Sequence, residues 1–183
     1  MPPPRREPAA RVPPDIPFDP RRILVALAEH GVDFVVVGGV AVQAHGHGRS
    51  TRDLDVIPRP GLVNLSRLGE ALASLGARLL RSDQPVDVTD PHLLKRAPLV
   101  PLITEYGRLD LLNLAQTQGA PRSYAELRAR AFEARIDGHD VAVTGLDDLI
   151  RMKRAAGRDV DLEDIGALTR ADEELEREAR EST

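Results

Sequence analysis

Phe34-Val35-Val36-Val37-Gly38-Gly39, thirteen further residues, then Asp53-Leu54-Asp55-Val56 is the segment that decides the fold. The apolar, largely β-branched run over 34–37 reads as a buried strand. Gly38-Gly39 ends it in a tight turn, a short helix follows near 40–46, and a second strand spans 52–57. Side chains alternate along that strand, so Asp53, Asp55 and Ile57 share one face while Leu54 and Val56 share the other. Two carboxylates on one strand face repel each other unless a positive charge sits between them. A pair of divalent cations meets that need, because Mg²⁺ takes hard oxygen ligands and is commonly held by one or two carboxylates plus substrate phosphates. The glycine turn upstream offers backbone N–H groups that a phosphate can approach closely. The two features together predict metal-assisted chemistry on a nucleotide.

Outward from this segment, Asp19-Pro20 opens a helix with an N-cap followed by proline at its first position. Its apolar face is Ile23, Leu24, Leu27 and Ala28, and Gly31 stops it. Before it, residues 1–17 contain seven prolines and several arginines without apolar periodicity, and are expected to form a disordered leader. Leucines at 62, 65, 68, 72 and 75 predict a helix from Pro60 to Leu75. A short strand near 77–80 and a polar stretch of unassigned structure follow. Residues 99–105 and 108–114 read as strands joined at Tyr106-Gly107. Ser123 caps a helix to about Arg130, and Asp137-Gly138 joins strands 132–136 and 139–143 in a hairpin. Thr144 is expected to open the helix Leu146–Ala156, which Gly157 ends, and a last helix begins near Asp161. A domain over 18–170 with a charged tail over 171–183 is the predicted organisation. The fold class is α/β (α+β), a small mixed β-sheet flanked by helices, with those helices expected on one side.

The 183 residues give room for one domain with a sizeable core. The absence of cysteine excludes disulfide and thiolate-metal schemes. No run is long enough for a membrane span, so a cytoplasmic protein without a membrane partner is expected. The net charge of −4 argues against a broad basic nucleic-acid surface, and 3% aromatic residues against a base-stacking platform.

A third carboxylate is needed if two cations are bound, and Asp110 in Arg108-Leu109-Asp110-Leu111-Leu112 is the candidate. An unpaired acid within an apolar strand is costly. It reaches the metal site if its strand neighbours that of Asp53 and Asp55; otherwise it is an edge aspartate facing solvent or paired with Arg108. On the helix 146–156, Leu146, Leu149, Ile150 and Lys153 fall within one arc of roughly 100°. Lys153 is therefore an inward lysine that needs an anionic partner, either a triphosphate or an internal salt bridge, unless it snorkels to the rim. Asp161 borders the apolar face of its helix, either orienting Lys153 or Arg158 or simply serving as the acid at the helix start. Arg49-Ser50-Thr51-Arg52 supplies hydroxyls and guanidinium groups just before the acids, with Arg49 and Thr51 suited to phosphate oxygens. His45-Gly46-His47 lacks a third nitrogen or sulfur ligand and makes a poor zinc site; His45 is expected to end the short helix near the nucleotide.

Val37-Gly38-Gly39, the thirteen-residue gap and Asp53-Leu54-Asp55-Val56 resemble the signature of the DNA polymerase beta-type nucleotidyltransferase superfamily. Gly-Gly-Val-Ala-Val-Gln-Ala-His-Gly through Arg-Ser-Thr-Arg-Asp-Leu-Asp is closer still to the AbiE-type toxin nucleotidyltransferases. So is the run Asp147 to Lys153 with Arg158, Asp161 and Asp164. The resemblance covers about residues 20–170. It implies a small mixed sheet flanked by helices, with Asp53, Asp55 and Asp110 as the catalytic, metal-binding triad. Gly38 and Gly39 would be the triphosphate-holding turn and Lys153 the phosphate-contacting lysine. It further implies Mg²⁺ (or Mn²⁺), an NTP substrate, and transfer of its NMP to a hydroxyl on RNA, protein or a small molecule. A place in a toxin–antitoxin or phage-defence system, with a cognate toxin or antitoxin protein, is implied as well. The alternative is a non-catalytic nucleotide-binding or partner-neutralising module of the same fold.

Overall fold

The computed structural model describes residues 16–80, 82 and 86–181. Most of the predicted leader, residues 1–15, therefore lies outside the described residues. Helix α1 (Pro20–Glu29) starts as its sequence dictates, with the Asp19 carboxylate accepting the Arg22 backbone N–H at 3.2 Å. Strand β1 (Phe34–Val37), helix α2 (Gly38–Ala44) and strand β2 (Asp53–Pro58) follow. Helix α3 (Leu62–Ser74) and the two-residue strand β3 (Arg78–Leu79) come next. Helix α4 (Pro91–Arg96) occupies the stretch left unassigned by the sequence reading; Asp90 caps it and Pro91 takes its first position. Then come strands β4 (Leu99–Thr104) and β5 (Gly107–Leu112), helix α5 (Tyr124–Arg130), and the hairpin β6 (Phe132–Ile136) and β7 (His139–Val143). Helices α6 (Leu146–Ala156) and α7 (Asp159–Glu181) pack on each other across the left-handed Gly157.

The strands form one mixed sheet in the order β3-β4-β5-β2-β1-β7-β6. Strand β2 runs antiparallel to β1 and parallel to β5, placing both acid-bearing strands in the middle of the sheet. The alternative that set Asp110 on an edge strand is thereby excluded.

Helices cover both faces, not one. On the first face Phe34, Val36, Leu54, Val56, Leu109 and Leu111 pack with Ile23 and Leu27 of α1 and with Leu65, Leu68 and Leu72 of α3. Alternation turns Val35, Val37, Ile57 and Ala142 to the second face, where Tyr124 and Leu127 of α5, Leu114 and Met152 cover them. Because β1 is sandwiched from both sides, all four of its residues are buried.

Among the boundaries that differ from the sequence reading, two have a visible cause. The cap of α6 is Gly145 instead of Thr144. Thr144 extends the sheet instead, its N–H donating to the Val36 carbonyl at 3.0 Å. A Cβ on Gly145 would lie 2.4 Å from the Arg130 carbonyl oxygen, so the cap position admits no side chain without a shift. Helix α7 begins at Asp159, one half-turn before Asp161, because the Asp161 carboxylate accepts the Arg158 backbone N–H at 3.2 Å.

Candidate active site

The parallel pairing of β2 and β5 puts Asp55 opposite Asp110 and Asp53 opposite Arg108. All four side chains belong to the second face, the one α5 covers. The three predicted acids are therefore neighbours on two adjacent central strands, Asp110 buried and the other two partly so. Burial, and then the Asp53 and Asp110 carboxylates, push Asp55 up to about 7 from an ordinary 3.8, against the pull of Arg108 and Lys153. Arg108, two residues before Asp110, grips it with Nε to Oδ1 at 2.9 Å and Nη2 to Oδ2 at 2.5 Å. Its Nη1 lies 3.8 Å from Asp53 Oδ2. The hydrogen bond to Asp110 holds the Arg108 guanidinium above its ordinary value.

Gly38 closes the site from β1. Its φ is +65°, and a Cβ built there would stand 2.0 Å from Asp55 Oδ2. Gly39 admits no side chain either: a Cβ would meet Thr51 Oγ1 at 2.5 Å and Arg49 Nη2 at 3.2 Å. The loop before β2 is thus packed directly on the turn after β1. Thr51 Oγ1 donates in turn to Asp53 Oδ1 at 3.0 Å. Gly38→Ala is expected to cost about 1–2 kcal/mol for the left-handed backbone alone, and more for displacing Asp55. Gly157→Ala isolates the backbone share, since Gly157 has φ +64° and a Cβ built there would meet only the Arg154 carbonyl oxygen, at 3.8 Å. Urea unfolding of both variants checks this; equal costs would mean that Asp55 moves aside freely.

Lys153 is inward, as its helical position predicts, with 4% of its surface exposed. Of the alternatives open to it, the structure shows the internal salt bridge: Nζ lies 3.0 Å from Asp161 Oδ1 and 2.7 Å from Asp164 Oδ2. Arg49 reaches Asp164 with Nε to Oδ1 at 2.6 Å, and Arg158 reaches Asp161 with Nε to Oδ2 at 2.7 Å. Burial would raise Asp161, but the hydrogen bonds from Arg158 and Lys153 outweigh it and hold the carboxyl at about 2. The same opposition, with Arg49 and Lys153 prevailing, lowers Asp164. Asp161 is fully buried and faces the network, so it orients Lys153 and Arg158 as well as standing near a helix start.

A cleft of about 380 Å³ opens beside these groups, lined by Gly38, Asp55, Lys153, Arg158 and Asp161 on its polar side. Pro98, Leu99, Leu112, Leu149 and Met152 form an apolar side, and Gln116, Thr117 and Gln118 carry polar groups. Its size and mixed lining suit a small ligand. Asp53, Asp110, Gly39, Arg49 and Thr51 are not part of this lining. His45 caps the end of α2 as expected, but it is anchored away from the cleft. Its Nε2 is 2.8 Å from the Thr144 carbonyl oxygen, and its ring meets Phe132 edge-on.

The donor chemistry fits a hard divalent cation: three carboxylates on one face next to a glycine cradle that a Cβ would fill. Among the described residues, no three carboxylate, imidazole or thiol groups stand close enough together to hold a metal ion. The sequence reading set Arg108 beside Asp110 only as an alternative to metal binding. It did not assign Asp164 as the shared partner of Arg49 and Lys153, and no local signal could have, since Arg49 and Asp164 are 115 residues apart.

Neither a protein-family model nor a curated protein sequence matches this chain. Solved structures do. A lincosamide antibiotic adenylyltransferase, LnuA, with lincomycin bound superposes at a TM-score of 0.57 and 17% identity, over 85% of this chain and 98% of that one. ANT(2")-Ia in complex with adenylyl-2"-tobramycin gives 0.52 and 19%, over 87% and 89%. An antigenic nucleotidyltransferase-like protein from Paracoccidioides brasiliensis gives 0.52 and 16%, over 81% and 72%. The fold is that of the nucleotidyltransferases. Likeness at such identities reaches no further than architecture, and chemistry must be argued from the residues. Among the described residues, no helix of this nucleotidyltransferase fold is long and apolar enough to cross a membrane.

Proposed function

We propose that the chain is a divalent-cation-dependent nucleotidyltransferase that moves an NMP from an NTP to a hydroxyl acceptor and releases pyrophosphate. One observation carries this reading: Asp55 and Asp110 are register partners on adjacent central strands, with Asp53 on the same face and Gly38 against Asp55. Asp53, Asp55 and Asp110 would hold Mg²⁺, or Mn²⁺ in its place, which when bound would screen the triphosphate and acidify the acceptor hydroxyl. The N–H groups at the start of α2 have no partners within the helix and suit phosphate oxygens. Lys153 spends two of its three N–H groups on Asp161 and Asp164, and the third remains for a phosphate in the cleft it lines. Arg49 and Thr51, packed against Gly39, would add donors to the triphosphate, Thr51 once its O–H turns from Asp53 Oδ1. The acceptor oxygen forms its bond to the α-phosphorus as the bond to the β-phosphate oxygen breaks. The acceptor proton passes to the Asp110 carboxylate, and pyrophosphate leaves toward Lys153.

RNA, protein and small molecules all carry suitable hydroxyls. The bound molecules of the LnuA and ANT(2")-Ia structures add lincosamides and aminoglycosides to the acceptors worth testing. A role beside a cognate toxin or antitoxin protein rests on the AbiE-type resemblance. The second reading, a non-catalytic nucleotide-binding or partner-neutralising module, draws on the fact that Lys153 already has two carboxylate partners.

The deciding experiment supplies each α-labelled NTP with Mg²⁺ and, separately, total RNA, lysate protein, a lincosamide and an aminoglycoside. Label transfer by the wild type that Asp53→Ala loses while staying folded supports catalysis. Equal labelling by Asp53→Ala refutes it. Calorimetric binding of NTP without transfer to any acceptor favours the second reading.

A further inference from the structure

We propose that Arg108 is a displaceable internal cation of the acid face. Its guanidinium occupies Asp110 and leans on Asp53 until a divalent cation takes those oxygens, so that metal loading and Arg108 release are one event. The inference rests on the reading of the three acids as a metal site.

Three observations carry it. First, the Arg108 fork engages both oxygens of Asp110, at 2.9 and 2.5 Å, with its remaining nitrogen 3.8 Å from Asp53 Oδ2. A divalent cation needs such oxygens at about 2.0–2.1 Å in near-octahedral geometry. A guanidinium lying across them competes for the same oxygens and repels the ion. Second, among the described residues no three ligating groups stand close enough to hold an ion as they are, so loading the acid face requires a side chain on it to move. Third, the basic side chains near the cleft differ in freedom. Lys153 is 4% exposed and held by two buried carboxylates, whereas the Arg108 side chain is 31% exposed and has a route to water. With the guanidinium withdrawn, the acidic groups left on the face favour a divalent ion over a monovalent one.

The consequence is competitive. Apparent metal affinity is the intrinsic affinity multiplied by the fraction of molecules in which Arg108 has left the acids. Removing the guanidinium should therefore tighten metal binding, the reverse of what a purely structural arginine would do.

The test is Mn²⁺ binding, with no nucleotide, to the full chain at low salt, followed by electron paramagnetic resonance and calorimetry. The chains compared are wild type, Arg108→Gln, Arg108→Lys and Asp110→Asn. Arg108→Gln is expected to bind Mn²⁺ at least about fivefold more tightly than wild type, the low end of coupling between sites. Arg108→Lys should fall between them, because an ammonium cannot reproduce the bidentate fork. Asp110→Asn should bind more weakly than wild type. Affinity in Arg108→Gln equal to or below wild type, while Asp110→Asn still loses the ion, overturns the inference and leaves the metal site standing. No saturable Mn²⁺ binding by any chain overturns both. Should Arg108→Gln fail to fold without metal, folding induced by Mn²⁺ supports the inference. If it fails in both conditions, Arg108→Lys decides alone, and affinity no greater than wild type overturns it.

Discussion

Alanine at position 153 is expected to lower folding stability by about 3–5 kcal/mol, the cost of removing one partner from a buried ion pair. The Lys153 ammonium is the common partner of Asp161 and Asp164, both fully buried. Deleting it leaves two carboxylates out of water with only Arg158 and Arg49 to answer them. For a domain of ordinary stability, about 5–15 kcal/mol, that is a large fraction of the whole. The loss should fall on the α6–α7 pair, which this network pins to the loop carrying Arg49. Urea unfolding at neutral pH gives the size of the effect. Adding Asp164→Asn to Lys153→Ala should recover part of the loss, because the second change removes the stranded charge. A cost below about 1 kcal/mol, the level of a solvent-exposed pair, would place Lys153 at the rim and remove its burial from the account.

Asparagine at position 55 is expected to act in opposite directions on activity and on stability. Nucleotidyl transfer should fall at least about 10²-fold, since charge stabilisation at the reacting phosphate is the main catalytic contribution and losing one preorganised group typically costs about 10²–10³. Metal-free stability at pH 7 should rise. The sign follows from linkage. Asp55 titrates at about 7 in the folded chain against an ordinary 3.8, so between those values the folded state binds the proton more tightly. Whatever stability protonated Asp55 contributes is complete below 3.8 and is lost as pH climbs through about 7. The wild type without divalent cation should therefore weaken across that window, and Mg²⁺ should reverse the loss. Asp55→Asn should flatten the profile, matching wild type near pH 4 and exceeding it at pH 7. Melting curves in chelator across this range provide the check. A variant less stable than wild type at pH 7 would show that the carboxylate is not crowded by its neighbours.

Much of the architecture was legible because its signals are local. The strand, glycine turn and acid strand around Gly38 follow from alternation and from what a Cβ would strike. Ser123 and Gly157 bound their helices as their chemistry requires. Helix α4 was missed, although Asp90-Pro91 repeats the Asp19-Pro20 signal that correctly opened α1; only the weaker apolar periodicity differs. The second face was misjudged for another reason. Tyr124 and Leu127 predict a helix but not which side of the sheet receives it. For Asp110 only a condition was legible, that its strand neighbour that of Asp53 and Asp55. Meeting it required a parallel pairing across α3, β3, α4 and β4 that no spacing rule specifies. Ion pairs such as Arg49 with Asp164 stay invisible until topology is known, and these decide whether a basic residue is spoken for.

The bond from Arg49 to Asp164 also orders events in time. Domains are synthesised and begin folding from the N-terminus, and the acids of β2 and β5 leave the ribosome well before α6 and α7. Until Asp164 has emerged, Arg49 lacks its carboxylate partner and Lys153 lacks one of its two. A nascent chain thus carries the acids of β2 and β5 early but completes the network around Arg49 and Lys153 only once α7 has followed, which delays competence until that helix is made.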